Sequence, residues 1–159
     1  MSKARSISLT VNGEPVTATV PVRKHLVDFL REDIGLTGSH VGCEHGVCGA
    51  CTLEVDGQLV RGCLMLAVQA DGAEVTTVEG LADSGRSDAL RAAFARRNAL
   101  QCGFCTPGML ASALEYVEGG GAADRTAIRA HLSGNYCRCT GYQSIVDAIS
   151  DVINEGAQT

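Results

Sequence analysis

The sequence lacks any long run of apolar residues. No stretch approaches the roughly 20 consecutive apolar residues that a membrane-spanning helix needs. Residues 1–10 contain neither the apolar segment of a secretory signal nor a twin-arginine pair. These absences predict a cytoplasmic protein with no membrane span.

A basic stripe is missing as well. The chain has 13 Lys and Arg against 18 Asp and Glu, a formal net charge of −5, and its arginines are scattered singly or in pairs. Proteins that bind nucleic acids usually concentrate positive charge on one face. The sequence therefore predicts no nucleic-acid partner.

Cysteine, by contrast, is abundant, with eight in 159 residues. Disulfides are rare in a reducing cytosol, where closely spaced cysteines more often bind metals or act in redox chemistry. The eight form two quartets with none left over, and we take all of them as candidate metal ligands: Cys43, Cys48, Cys51 and Cys63, then Cys102, Cys105, Cys137 and Cys139.

The first quartet has a specific spacing. Three cysteines lie close together in one loop and the fourth follows at a distance, which is the plant-type ferredoxin arrangement for a [2Fe–2S] cluster. The loop from Gly42 to Cys51 is rich in glycine, which lets backbone N–H groups point at the sulfurs. We treat His45 as a non-ligand, because a mixed histidine set would leave cysteines unused. The same applies to His25, His40 and His131.

The spacing of the second quartet leaves two possibilities open. A Cys-x2-Cys pair and a Cys-x-Cys pair could hold either an iron–sulfur cluster or a tetrahedral zinc ion. Cys105 precedes a helix that starts at Thr106-Pro107, and Cys139 precedes one that starts near Gln143. Both helix N-termini would thus face the anionic site, an arrangement that suits cluster and zinc equally.

The alternation of apolar residues in the N-terminal half predicts strands. Apolar residues alternate on both sides of Asn12-Gly13, and shorter alternating segments flank Asp56-Gly57, so each dipeptide marks a hairpin. A short helix is expected within Lys24–Asp33, and Val75–Val78 is expected to be the last strand. Two strands followed by a helix are how a β-grasp ferredoxin begins.

The C-terminal half predicts four amphipathic helices, and hence a small bundle. They lie over Asp88–Asn98, after Thr106-Pro107, beside Asp124 and from about Gln143. The segment Leu81–Ser87 has no apolar periodicity and predicts a linker. We therefore expect an α+β chain with two domains: a β-grasp plant-type ferredoxin domain over 1–82 and an all-α four-helix-bundle domain over 83–159 that carries the second cysteine quartet.

Two further segments distinguish an iron–sulfur cluster from a zinc ion in the second quartet. Gln101-Cys-Gly-Phe-Cys-Thr-Pro-Gly108 and Gly134-Asn-Tyr-Cys-Arg-Cys-Thr-Gly-Tyr142 closely resemble the xanthine oxidase family in its bacterial small-subunit form. The loop from Gly42 to Cys51 resembles it too, so the similarity covers essentially the whole chain. These motifs are specific to the iron–sulfur subunit of molybdenum hydroxylases.

The resemblance implies an electron-transfer subunit without a catalytic site of its own. Its expected partners are a large molybdopterin subunit and a medium FAD subunit, assembled as a heterotrimer or its dimer. The molybdenum cofactor and FAD would lie on those partners, and this chain would hold two [2Fe–2S] clusters. Electrons released by substrate hydroxylation, with oxygen taken from water, would pass singly through the clusters to FAD.

The resemblance also assigns roles within the chain. The quartet of the helical domain would lie nearer molybdenum, and the ferredoxin-type quartet nearer FAD. Gln101 matches the glutamine whose amide contacts the pterin, and Cys139 matches the ligand cysteine that lies against the same cofactor. Substrate identity is not carried by these residues.

Two other functions remain to be tested. A free ferredoxin-like shuttle would need only the first domain, and the second domain argues against it. A zinc ion in the helical quartet would merely stabilise the fold, and the iron and sulfide content of the protein separates this alternative from two clusters.

Overall fold

The computed structural model describes residues 3–157. Five strands and six α-helices lie within them: β1 (Ala4–Val11), β2 (Glu14–Pro21), α1 (Leu26–Asp28), β3 (Thr52–Val55), β4 (Gln58–Arg61), β5 (Glu74–Thr76), α2 (Val78–Asp83), α3 (Asp88–Arg96), α4 (Thr106–Glu118), α5 (Arg125–His131) and α6 (Gln143–Gly156). The strands precede all the helices except α1, so the chain divides into a sheet region and a helical region.

Both predicted hairpins are present. Strands β1 and β2 pair antiparallel up to Val11 opposite Glu14, and the two residues between them, Asn12 and Gly13, have φ of 51° and 84°. A two-residue turn with positive φ at both positions matches the twist of the strands it joins, and Asn-Gly adopts it at low cost. Asp56 and Gly57 repeat this geometry between β3 and β4.

The strands form one mixed sheet in the order β2-β1-β5-β3-β4. Strand β5 lies at its centre, parallel to β1 and antiparallel to β3. Helix α1 continues into a π-helical segment, Phe29–Ile34, which ends one residue beyond the predicted range. Its buried Leu26, Phe29 and Leu30 pack with apolar residues of the strands. The β-grasp fold predicted for this half is confirmed.

The helical half is also confirmed, and the helices begin where local signals place them. Asp124 caps α5 by accepting a hydrogen bond from the Ala127 amide at 2.7 Å, and Pro107 lies in the first turn of α4, where its missing N–H costs nothing. Helices α2–α6 bury a second apolar core that includes Phe94, Met109 and Ile149.

One predicted linker is partly wrong. Helix α2 extends to Asp83 and so enters the segment expected to be irregular, and it takes Val78 from the predicted last strand. Leu81 explains the difference, because its side chain is buried in the helical core. One buried residue is enough to hold a short helix against a core. A single apolar position, however, gives no apolar periodicity from which the sequence would predict a helix. The division at 82/83 falls inside α2 and stays a prediction.

The two halves pack against each other. Helix α4 lies against β3, and Leu59 of β4 contacts the helical core. Arg86, between α2 and α3, donates to the buried Glu54 of β3 at 2.9 and 3.0 Å and to Glu118 at the end of α4. In residues 3–157 we find no helix with the length and apolar character needed to cross a membrane.

Candidate iron–sulfur sites

The first cysteine loop is shaped by left-handed backbone positions. Glu44, Gly46 and Gly49 have φ of 55°, 74° and 74°, which turns the chain back on itself around Cys43. The amides of His45 and Cys48 donate to the Cys43 sulfur, each at 3.4 Å. These hydrogen bonds, that from Cys48 first, lower the pKa of Cys43 to about 6, so the loop stabilises a thiolate.

The other two thiols of this quartet come from the ends of the second hairpin. Cys51 immediately precedes β3 and Cys63 follows β4, and the amide of Gly62 donates to the Cys51 carbonyl at 3.1 Å. Both side chains are buried beside Val27, and burial raises the pKa of Cys51 to about 11. The pKa of Cys51 also responds to the neighbouring Cys63 thiol, and that of Cys43 to the Cys48 thiol.

The second quartet forms two pairs in the same way. The sulfurs of Cys102 and Cys139 lie 3.4 Å apart and both residues are exposed. Cys105 and Cys137 are half-buried, and the neighbouring Cys137 thiol adds to the shift in the pKa of Cys105. Each pair joins one residue of the Cys-x2-Cys segment to one of the Cys-x-Cys segment, so the fold brings together cysteines that are far apart in sequence.

The electrostatics of this quartet favour thiolates at some positions and oppose them at others. The backbone amide of Phe104 lowers the pKa of Cys102. Burial opposes ionisation of Cys137, but hydrogen bonds from Thr140 outweigh it and lower the pKa. Burial raises the pKa of Cys105 to about 12. A bound cluster would need the buried thiols in their deprotonated form, as is usual when metals bind cysteine.

These pairs fit the needs of a [2Fe–2S] cluster. All eight cysteines are free thiols, and such a cluster takes four thiolates, two at each iron. Four thiols in each quartet match the number of ligands that a two-iron cluster takes, and the ligand assignment stays a prediction.

The four histidines make other contacts. His45 bonds through Nδ1 to the Cys43 carbonyl, and His131 contacts the Ser112 carbonyl at 2.9 Å. The backbone of His25 forms an isolated β-bridge with the backbone of Leu66. His40 stacks on Phe104 with ring centroids 4.7 Å apart and bonds to its carbonyl at 2.8 Å.

Sequence reasoning missed the residues that join the two quartets. The Tyr136 amide donates to the Cys48 carbonyl at 2.8 Å, and the buried Asn135 donates to the Gly49 carbonyl at 3.2 Å. Asn135 stands in one of the motifs already noted, but an asparagine at one position does not reveal a contact 86 residues away. The loop from Gly42 to Cys51 and the segment from Gly134 to Tyr142 thus contact each other, and we call this contact the seam between the domains.

Gln101 and Cys139, the two positions predicted to face a pterin, are both exposed. Exposed apolar side chains accompany both loops: Leu100 and Phe104 beside the second quartet, and Val47 beside the first. Helix α4 begins at Thr106, directly after Cys105, and α6 begins at Gln143, so two helix N-termini lie near this quartet in sequence as predicted.

Comparison with known proteins assigns both halves. Residues 9–82 match the model of a 2Fe-2S iron-sulfur cluster binding domain, and residues 77–150 match that of a [2Fe-2S] binding domain. The chain is 54% identical over 151 residues to the caffeine dehydrogenase subunit gamma of Pseudomonas sp. (strain CBB1), covering 92% of this chain and 89% of the relative.

Further relatives agree. The nicotine 6-hydroxylase small subunit of Paenarthrobacter nicotinovorans is 52% identical, with 91% of this chain and 87% of the relative covered. The xanthine dehydrogenase iron-sulfur-binding subunit of Escherichia coli O157:H7 is 41% identical, with 94% and 95% covered. The solved structure of quinoline 2-oxidoreductase from Pseudomonas putida 86 superposes with a TM-score of 0.89 at 48% identity, covering 99% of this chain and 98% of that chain.

Proposed function

Because this chain belongs to the small iron–sulfur subunits of molybdenum hydroxylases, we propose that it carries electrons from a molybdopterin centre on a large partner subunit to FAD on a medium subunit. The observation that carries the proposal is the division of eight free thiols into two groups of four, one in each domain, with the Cys102 and Cys139 sulfurs 3.4 Å apart. When bound, a [2Fe–2S] cluster accepts and releases one electron at a time without making or breaking a substrate bond.

We propose all eight cysteines as the ligands. One cluster would be held by Cys43 and Cys48 together with Cys51 and Cys63, and the other by Cys102 and Cys139 together with Cys105 and Cys137. The backbone amides that donate to Cys43 would also lower the cost of the negative charge there. The domains would divide near 82/83, with one cluster in each.

Exposure supports the orientation that the family resemblance implies. Cys102 and Cys139 are the two exposed cysteines, and Gln101 beside them is exposed too. We therefore place the helical-domain quartet against the molybdopterin subunit, with Gln101 and Cys139 as its contacts, and the ferredoxin-type quartet towards FAD. Apolar side chains exposed beside both loops, such as Phe104 and Val47, support contact with other proteins there.

The complex would be a heterotrimer or a dimer of heterotrimers in the cytoplasm, where reducing conditions keep the thiols free for cluster assembly. Copurification of a tagged chain, with the mass of the complex measured in solution, tests this. A chain recovered alone at full cluster content would support a free shuttle instead.

The substrate of the complex would be a nitrogen heterocycle. Relatives that share about half of their residues with this chain are named for caffeine, nicotine and quinoline. The purified complex should reduce an artificial electron acceptor with such a compound. Turnover of aldehydes alone would contradict this substrate class while leaving the electron-transfer role intact.

Metal analysis combined with low-temperature EPR of the dithionite-reduced protein tests the central proposal. Two distinguishable [2Fe–2S] signals are expected, with about four iron atoms per chain, two from each cluster. A single signal, with half of that iron and one zinc ion, would show that the helical quartet only stabilises the fold.

Cys139→Ser tests the ligand assignment in the helical domain. It should remove or strongly perturb one of the two EPR signals, because a hydroxyl is a poor substitute for a thiolate at iron, and leave the ferredoxin-type signal intact. Two unchanged signals would show that Cys139 is not a ligand.

Gln101→Ala tests the contact with the pterin. Both clusters should assemble, since Gln101 is exposed and is not proposed as a ligand. Reduction of the clusters by substrate in the assembled complex should be slower, while reduction by dithionite stays unchanged. Loss of a cluster in this variant would contradict the proposed role.

A further inference from the structure

A backbone hydrogen bond links the two cysteine quartets. The Tyr136 N–H donates to the Cys48 carbonyl at 2.8 Å. Cys48 belongs to the first quartet, and Tyr136 is covalently joined to Cys137 of the second. Apart from this hydrogen bond, the path from one sulfur to the other consists only of covalent bonds within Cys48, Tyr136 and Cys137.

Asn135, the residue before Tyr136, is held rigidly on three sides. It is 3% exposed, its Nδ2 donates to the Gly49 carbonyl at 3.2 Å, and its Oδ1 accepts from the Ser112 hydroxyl of α4 at 2.9 Å. Its own amide donates to Leu132 at 2.9 Å. Asn135 therefore contacts the residue after Cys48 on one side and helix α4 on the other.

The seam around Asn135 is fixed by further polar contacts. The Gly49 carbonyl also accepts from the Thr52 hydroxyl at 2.6 Å and its amide at 3.2 Å. Arg61 bonds to the same hydroxyl and donates to the Gly134 carbonyl at 2.8 Å. Hydrogen bonds thus connect residues of the sheet domain to Gly134 and to Asn135.

Resting on the proposed function, we propose that Asn135 is a positioning residue for electron transfer between the clusters. It holds the Tyr136 amide against the Cys48 carbonyl, so that one electron leaves the reduced site of the helical quartet and arrives at the oxidised site of the ferredoxin-type quartet. The first is oxidised by one electron and the second reduced by one, with no proton moved and no bond broken.

A second route is visible and is longer. His40 stacks on Phe104 and bonds to its carbonyl, and Phe104 adjoins Cys105. From Cys43, however, this route follows the backbone through Gly42 and Val41 before it reaches His40. Its extra covalent bonds make it the weaker connection, and a His40→Ala variant tests it directly.

The experiment uses the full chain with both clusters assembled. A substoichiometric pulse of photoreduced 5-deazaflavin supplies one electron. Freeze-quench EPR then follows its redistribution between the two distinguishable signals. Redox titration gives the two potentials, and hydrogen–deuterium exchange reports the protection of the Tyr136 amide.

Asn135→Ala should slow the redistribution severalfold and remove the protection of the Tyr136 amide, while both potentials and the iron content stay unchanged. Ser112→Ala, which deprives Asn135 of one partner, should give a smaller effect of the same kind. It also keeps the test decisive if Asn135→Ala fails to assemble its clusters. Ser87→Ala is the matched control, because it removes a buried serine hydrogen bond, to the Leu81 carbonyl, away from the seam.

Three results would overturn the inference. An unchanged rate despite faster exchange at Tyr136 would show that this hydrogen bond is not the path. Equal slowing in Ser87→Ala would indicate general loosening of the helical domain, and slowing in His40→Ala alone would assign the path to the stack with Phe104. Failure of the proposed function itself would look different, because only one [2Fe–2S] signal would be present from the outset.

Discussion

At the scale of single residues, two glycines allow the cysteine segments to approach each other. A Cβ on Gly108 in the first turn of α4 would lie 2.0 Å from the Gly49 carbonyl oxygen. A Cβ on Gly49, where φ is 74°, would lie 2.5 Å from the Gly134 carbonyl. The chain therefore needs the absence of a side chain at both positions, since backbone cannot move aside as a flexible side chain can.

Gly108→Ala should destabilise the protein by about 1–3 kcal/mol, the usual cost of forcing an extra methyl into a packed site. The added methyl should also push α4 away from Gly49 and so weaken the seam between the domains. Thermal unfolding of the cluster-loaded protein measures the first effect, and the EPR signals of both clusters report the second.

Gly156→Ala is the matched control, because Gly156 also lies in a helix but an added Cβ meets nothing within 4 Å among the described residues outside its own helix. There the change should not destabilise the protein. Equal effects of the two substitutions would contradict the close approach at Gly108.

At the scale of elements, α3 and α6 are joined by an ion pair at their exposed edge. Arg97 donates to both carboxylate oxygens of Asp151, at 2.6 and 2.8 Å. This hydrogen bonding holds the pKa of Asp151 below its usual value. The stabilisation is therefore complete above the unfolded-state pKa of about 3.9 and is lost only as the pH falls through the lower folded-state pKa.

Asp151→Asn should lower the free energy of unfolding by about 0.5–1 kcal/mol, the upper range for pairs that remain open to solvent. Because Asp151 is fully ionised throughout, the difference from wild type should be the same at about pH 6 and about pH 8. Urea unfolding at both values measures it. Asp88→Asn, which removes a one-turn pair with Arg91, is the control, and an equal loss there would contradict a special role for the α3–α6 contact.

At the scale of the whole molecule, Arg86 fastens the sheet domain to the helical domain. It bonds to both carboxylate oxygens of Glu54 and to Glu118, and these hydrogen bonds raise its pKa. The Glu54 side chain is only 11% exposed, so without Arg86 its charge would stay in a poorly solvated position. A buried charge deprived of its partner costs more than an exposed one.

Arg86→Ala should destabilise the protein by about 1–3 kcal/mol, the range for hydrogen bonds to charged groups, with the partial exposure of Arg86 limiting the effect. The double variant Arg86→Ala, Glu54→Gln should recover part of the loss, because it removes the uncompensated charge. Denaturant unfolding of the single and double variants measures this, and Arg91→Ala is the exposed control. No recovery in the double variant would show that the buried charge of Glu54 is not what makes Arg86 important.

The sequence by itself determined the elements and the chemistry of this protein. The Asn-Gly and Asp-Gly turns, the helix start at Thr106-Pro107 and the cap at Asp124 depend on neighbouring residues, and local signals of this kind can be read directly from a sequence. The spacing of the first quartet predicted a [2Fe–2S] site for the same reason, because short spacings limit where the sulfurs can lie, whereas the second site was predicted from the resemblance of its motifs to a known family.

Only the tertiary structure decided how the two halves meet. The pairing of Cys102 with Cys139, the hydrogen bond from Tyr136 to Cys48 and the three contacts of Asn135 join residues far apart along the chain. So does the burial of Leu81, which turned an expected linker into part of α2. Such contacts depend on how whole elements pack, and packing is set by the shapes of both cores together, which no local pattern in the sequence records.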